Sequence, residues 1–419
     1  MKKLIILFLV TSLFSLQQNA IGQDSITIQD LEQFSHTFSI EADGFHGEGG
    51  KILSKAIANA HITMLGEDIG SKLEHHFANA LINELDQNNY KKMVLETGGG
   101  SGQLINKMAR NAELTSQKVK ALNQKYLLEK KGSTFVPILE LRNLEAIQSI
   151  ENANNRGWSF LYVGVEPWTS YKMLADNLYD NLLPNNKQTY QDLYQETTAF
   201  LDQQYEAIEA HNSDEVFKLM SQLKSAKCFN DFLDKMTICE GNRETVTAIQ
   251  QSIEYWGMYG NKQFYEKNVW SAKQDKRKLA EDLKKENFDL KKDKLFVKMY
   301  RNHLSKSMTG SGAFGLGNML YELADYHEKE CLSIGVVRRF YNDGEAVKDL
   351  SQATDGFNKK FKELVQLGKK EEWILIDLRP FVKEFYFGNY IITDGLYRMF
   401  TRYDMLVIPK LDSKATANY

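Results

Sequence analysis

The sequence predicts an α/β protein: a mainly parallel sheet flanked by helices, carrying a large all-helical insertion. Three observations predict it. Short apolar runs alternate with helix-period segments over residues 51–170. Strand signals then stop, and charged, Gln- and Leu-rich helix formers dominate residues 171–293. Apolar runs return over 294–419, so the α/β domain is read as two segments, 51–170 and 294–419, closed around the insertion.

Lys2 and Lys3 precede an apolar stretch over 4–16, and small residues surround Ala20-Ile21-Gly22. This pattern reads as a signal peptide over 1–22, too short to span a bilayer, with a mature start near Gln23 and a secreted or periplasmic destination. Residues 23–50 end in a Gly-rich stretch and read as a flexible lead-in. A helix is expected over 53–60, a strand over 62–67, and a helix over 71–88 with Leu73, Phe77, Ala80, Leu81 and Leu85 at helix spacing. Strands at 92–96 and 160–166 flank a helix over 136–154. The insertion reads as antiparallel hairpins, clearest at 190–209 and 215–236. Its aromatic residues, among them Tyr255, Trp256, Tyr259 and Trp270, read first as bundle core and otherwise as walls of a ligand cleft. Strands at 296–300, 331–337, 373–378 and 403–408, with a helix over 317–329, complete the sheet.

A net charge of −3 gives no long-range attraction to nucleic acid or anionic membranes. Cys228, Cys239 and Cys331 form neither a disulfide framework nor a zinc spacing. The expected partner is a small-molecule substrate or ligand, with no cofactor signature, no nucleic acid and no membrane span after signal cleavage.

The chemistry lies at the strand ends. Three buried-type strands end in or just before an acid, at Glu67, Glu96 and Glu166, and a fourth runs into Arg301-Asn302-His303. In open α/β sheets the carboxyl ends of the strands are where ligands bind. Gathering carboxylates and an imidazole there is costly unless they bind or react with something. The Thr97-Gly98-Gly99-Gly100-Ser101-Gly102 stretch reads either as an anion-binding run of amides or as a plain flexible loop. Residues 310–317 read as a mobile loop and helix cap rather than a phosphate loop. No Gly-x-Ser-x-Gly nucleophile elbow follows a strand.

In order and spacing, several blocks resemble the erythromycin esterase family over roughly residues 45–410. They are Leu65-Gly66-Glu67 with Glu74, Val94-Leu95-Glu96, Gly164-Val165-Glu166, Tyr300-Arg301-Asn302-His303, Leu316-Gly317-Asn318 and Asp377-Leu378-Arg379. The resemblance implies a hydrolytic α/β domain with a helical insertion. It implies catalytic roles for Glu67, Glu74, Glu96 and His303, and substrate binding by Glu166 and Arg301. The chain departs from the family at one point that matters most. The family's turn after Leu-Gly-Glu carries a general-base His, and here that place is Gly70. Tyr300 stands where a second late His is usual, and His75 and His76 lie one turn further on. Carboxylates are therefore the candidate bases, with one expected to have a raised pKa, and His303 or Arg301 to stabilise developing negative charge. The expected function is an exported hydrolase of an ester or related bond with weak or altered activity. Two alternatives use the same residues. One is a divalent-metal-dependent hydrolase held by Glu67, Glu74, Glu96, Glu166 and His303. The other is a non-catalytic protein that binds a small molecule or partner.

Overall fold

A computed structural model describes residues 24–67, 70–130, 133–210, 222–354, 361–386 and 390–419. The expected signal segment lies outside the described residues, as do Asp68, Ile69 and the start of the helix expected over 215–236. Nine strands form one sheet: β1 (Ser35–Glu41), β2 (Gly44–His46), β3 (Ala60–Glu67), β4 (Lys92–Glu96), β5 (Ser159–Val163), β6 (Leu295–Tyr300), β7 (Glu330–Val336), β8 (Trp373–Asp377) and β9 (Met405–Ile408). Their order is β2-β1-β8-β9-β7-β3-β6-β4-β5. From β9 to β5 every neighbour is parallel, whereas β8, β1 and β2 join antiparallel. β3, β6 and β4 are apolar runs buried on both faces, as a parallel sheet between helices requires. Registry sets Leu65 and Leu95 on either side of Lys298, and Glu67 beside Tyr300.

One face packs against α1 (Gly47–Asn59), α2 (Lys72–Gln87), α3 (Gly99–Arg110) and α4 (Leu144–Asn155). In α2, Phe77, Leu81 and Leu85 recur every four residues and are fully buried. Between β5 and β6 the described chain is helical: α5 (Tyr171–Asp180), α6 (Gln191–Ala210), α7 (Lys227–Met236), α8 (Arg243–Gly260) and α9 (Phe264–Lys285) are its longest helices, and it contributes no described strand. Leu279 and Leu283 of α9, with Leu320 and Ala324 of α10 (Leu316–Tyr326), cover Met64, Val94, Val297 and Met299 on the opposite face. No described helix is long and apolar enough to cross a membrane. The three cysteines are free.

Two local expectations change. The stretch read as a flexible lead-in is folded: β1 pairs with β8, and Phe38 and Phe45 pack around Phe77 and Trp373. Its glycine density masked a hairpin with an apolar face. The segment read as helix from 136 begins as extended chain, takes one turn at Leu139–Leu141, and becomes helical at Leu144.

The C-terminal segment clamps the turn that follows β3. Buried Asp412 accepts hydrogen bonds from Ser71 Oγ, the Leu73 amide (2.9 Å) and the Ser413 amide (2.7 Å). Ser71 in turn caps α2 by accepting from the Glu74 amide at 3.0 Å. Ala415 N donates to Gly70 O at 2.9 Å, and Thr416 is held by Glu145. Removing a buried acceptor strands its donors. Asp412→Ala is expected to lower unfolding stability by about 1–3 kcal/mol in urea titration, with the slope unchanged.

Candidate functional site

The carboxyl ends of β3, β4 and β6 lie side by side, so their polar residues meet. Lys298 stands between Val297 and Met299, an ammonium in an apolar strand, and is 1 % exposed. Its Nζ contacts Glu67 Oε1 and lies 3.6 Å from Glu140 Oε2. Glu140 comes from the Leu139–Leu141 turn. Burial disfavours every charge here. It holds the Lys298 ammonium down to about 7. It pushes the Glu140 carboxyl up to about 8, with the Glu96 charge adding to the rise. At neutral pH Glu140 is therefore mainly the acid form, which can donate one hydrogen bond as well as accept.

A second group abuts the first. Glu96 Oε2 accepts from the Tyr300 amide at 2.5 Å, and its Oε1 lies 3.4 Å from His303 Nε2. The opposite ring nitrogen of His303 lies 3.7 Å from Asp275 Oδ2, delivered by α9. Burial opposes charge on the imidazole, but Glu96 and Asp275 outweigh it and raise the group to about 9. His303 is accordingly an imidazolium at neutral pH, flanked by two acids. Lys267, also on α9, donates to Tyr255 OH at 3.1 Å and sits 4.8 Å from the ring centres of Tyr255 and Tyr259. Burial lowers its pKa, and its charge works against that of His303. Glu96 is the hinge between the groups, because its charge acts on both Glu140 and His303.

The other expected residues fall elsewhere. Arg301 is buried beside this edge, its amide donating to Glu67 O at 3.1 Å and its guanidinium 5.8 Å from the Tyr300 ring centre. Glu74 is buried in the first turn of α2. Glu166 lies against the start of a helix. It lies three residues beyond β5, fully buried, and both its oxygens are engaged. One accepts from the amides of Gly100 (2.7 Å) and Ser101 (3.0 Å), the other from the hydroxyls of Ser101 and, at 3.5 Å, Ser170. Glu166 thus caps the start of α3. The amide run from Thr97 does bind an anion, and that anion is the chain's own carboxylate; the same run is the start of a helix, not a loop. A Cβ at Gly98 would come 2.2 Å from Glu166 Cδ, so glycine is what lets the two segments meet.

The five-residue metal set does not close either. Glu166 is spent on α3 and Glu67 on Lys298. Among the described residues, three ligand-type side chains gather within 4.8 Å only at Glu41, Asp43 and His46, on the β1–β2 hairpin. His75 is buried beside Asn143, and burial lowers it to about 4, a neutral packing residue. His76 is exposed, in a surface recess with Lys410. Gly70 has φ +95° with open space around its α-carbon, a backbone state that disfavours histidine.

No protein-family model and no curated protein matches the chain. Among solved structures it is similar to a succinoglycan biosynthesis protein, with 17% identity and a TM-score of 0.55 over 93% of this chain and 97% of that one. It is also similar to an erythromycin esterase mutant, EreC, in its open conformation, with 12% identity and a TM-score of 0.49 over 91% and 98% of the two chains. A Bacillus cereus protein gives 14% identity and a TM-score of 0.49 over 88% and 92%. At 17% identity, what the chain shares with the succinoglycan biosynthesis protein is the fold.

Lys298, Glu140, Asp275 and Lys267 escaped the sequence reading. Only Lys298 carried a signal, a lone charge inside an apolar strand. Removing one partner of a buried ion pair costs about 3–5 kcal/mol, whereas an apolar replacement of both is often neutral. Lys298→Met is expected to destabilise by about that amount, and Lys298→Met with Glu67→Leu to recover most of it, as read by thermal and urea unfolding.

Proposed function

We propose that this chain is an exported hydrolase that cleaves an ester or related bond through Glu96 and His303. The observation that carries the reading is the His303 imidazolium held between Glu96 and Asp275 at the sheet edge. Glu96 takes a proton from water as the oxygen attacks the carbonyl carbon. The imidazolium stabilises the oxyanion and then protonates the leaving alkoxide. Glu96, 3.4 Å away, returns its proton to His303, so both groups end as they began. Lys298, Glu67 and Glu140 beneath them set the local field, and Asp275 fixes the ring. The chemistry differs from that implied by the family resemblance because Gly70 leaves the turn without an imidazole, and a carboxylate takes the base role.

The test is an assay of purified protein on p-nitrophenyl acetate, simple alkyl esters and macrolactones. Glu96→Gln and His303→Gln are each expected to lower kcat by about 10²–10⁴-fold, the usual worth of a general acid or base. Activity in the parent should fall as pH passes about 9 and His303 loses its proton. Gly70→His should fold at a cost of about 1–2 kcal/mol for the left-handed backbone and gain macrolactone opening. Strong macrolactone opening by the parent, unaffected by Glu96→Gln, would contradict the mechanism. No turnover, together with a melting temperature raised by a small molecule, would favour the binding-protein reading.

A further inference from the structure

Lys267 of α9 is a buried ammonium, 8 % exposed, with no carboxylate partner among the described residues. Its hydrogen bond there runs to the Tyr255 hydroxyl of α8, at 3.1 Å from Nζ to the phenol oxygen. A phenol whose oxygen accepts from an ammonium keeps its own hydrogen to donate. It also donates more strongly, because linked hydrogen bonds polarise one another. Among the described residues the Tyr255 hydrogen has no acceptor.

Tyr255 belongs to the group around His303. Burial raises its phenol above the ordinary tyrosine value, and the charges of Glu96 and Asp275 add to the rise, so the hydroxyl stays protonated wherever His303 does. Those two acids are the pair that flank His303, at 3.4 and 3.7 Å. Access then separates the members of the group. Asp275 and Lys267 are buried, whereas Glu96, His303 and Tyr255 each keep part of their surface open. An entering ligand therefore meets a carboxylate, an imidazolium and a phenol. The phenol is also held in place. Trp256 packs edge-on to its ring, with centroids 4.9 Å apart, and is anchored by donating from Nε1 to Glu166 O at 2.8 Å. A donor positioned in advance costs no reorganisation when charge develops on the substrate.

We infer that Tyr255 is a further catalytic residue: its hydroxyl donates to the oxyanion that forms beside His303, and Lys267 positions and polarises it. The catalytic part rests on the hydrolase reading of Glu96 and His303; capture of a tetrahedral oxyanion does not.

Two measurements on the full chain compare the parent with Tyr255→Phe. The first is calorimetric titration with ethyl methylphosphonate, a stable tetrahedral monoanion. The parent is expected to bind it, and Tyr255→Phe to bind it about tenfold or more weakly, the worth of a hydrogen bond to a charged group. The second is hydrolysis of p-nitrophenyl acetate, where loss of one oxyanion donor should lower kcat by about 10²–10³-fold with KM little changed. Tyr255→Phe strands the Lys267 ammonium, so Tyr255→Phe with Lys267→Met is the folding control. The double variant should melt like the parent and bind the phosphonate no better than the single one. A Tyr255→Phe chain that binds the phosphonate or turns over the ester like the parent would overturn the inference. So would a parent that fails to bind the phosphonate at millimolar concentration. A parent that hydrolyses no ester, yet loses the phosphonate in Tyr255→Phe, would contradict the hydrolase reading and support the oxyanion site.

Discussion

A lysine buried in the middle of a sheet constrains everything around it. Lys298 lies in β6 with Leu65 and Leu95 on the neighbouring strands, where an unpaired ammonium would cost several kcal/mol. Glu67 answers that cost from the end of β3, and Glu140 approaches from the turn before α4. The pairing works only if β3 and β6 are adjacent and end at the same level. A one-residue slip would turn Lys298 onto the other face and away from Glu67. The ion pair thereby ties strand order and register to the chemistry of the edge.

The second group makes the insertion part of the site. Asp275 and Lys267 lie on one helix of the insertion, separated by eight residues and so by about two turns. Both act on His303, which leaves the sheet after β6. Two halves of the α/β domain and the segment between them therefore share one set of charges, with the Glu96 charge acting on both Glu140 and His303. Acid–base chemistry needs groups whose environments drive their pKa values apart, and here burial raises a carboxyl while neighbouring acids raise an imidazole. The clamp of Asp412 and Ala415 on the turn at Gly70 steadies the rim of the same edge.

The sheet was legible because its buried strands are unbroken apolar runs, and the helical middle because those runs stop. Glu96 was readable because it closes such a run; His303 lies three residues past its strand, and the fold brings it back beside Glu96. Glu166 stands at the same offset past its strand, and there the carboxylate is bound by the first amides of a helix. Gly164-Val165-Glu166 reads the same whether the acid faces a ligand or a helix start. Asp275 and Glu140 were hidden because each sits in ordinary helical or turn sequence, and only packing brings it to the site. The antiparallel edge was hidden too: direction depends on how the chain returns, and β8 reads like any other apolar strand.

The acids around His303 hold it as an imidazolium at neutral pH, and the reaction proposed for the site depends on that charge. The most direct measurement is an NMR titration of the His303 ring in the parent chain and in Glu96→Gln. The expected midpoint is near 9 in the parent, with a clear fall toward the ordinary histidine value when the Glu96 charge is removed. A parent ring that titrates near 6.5, and does not respond to Glu96→Gln, would contradict it.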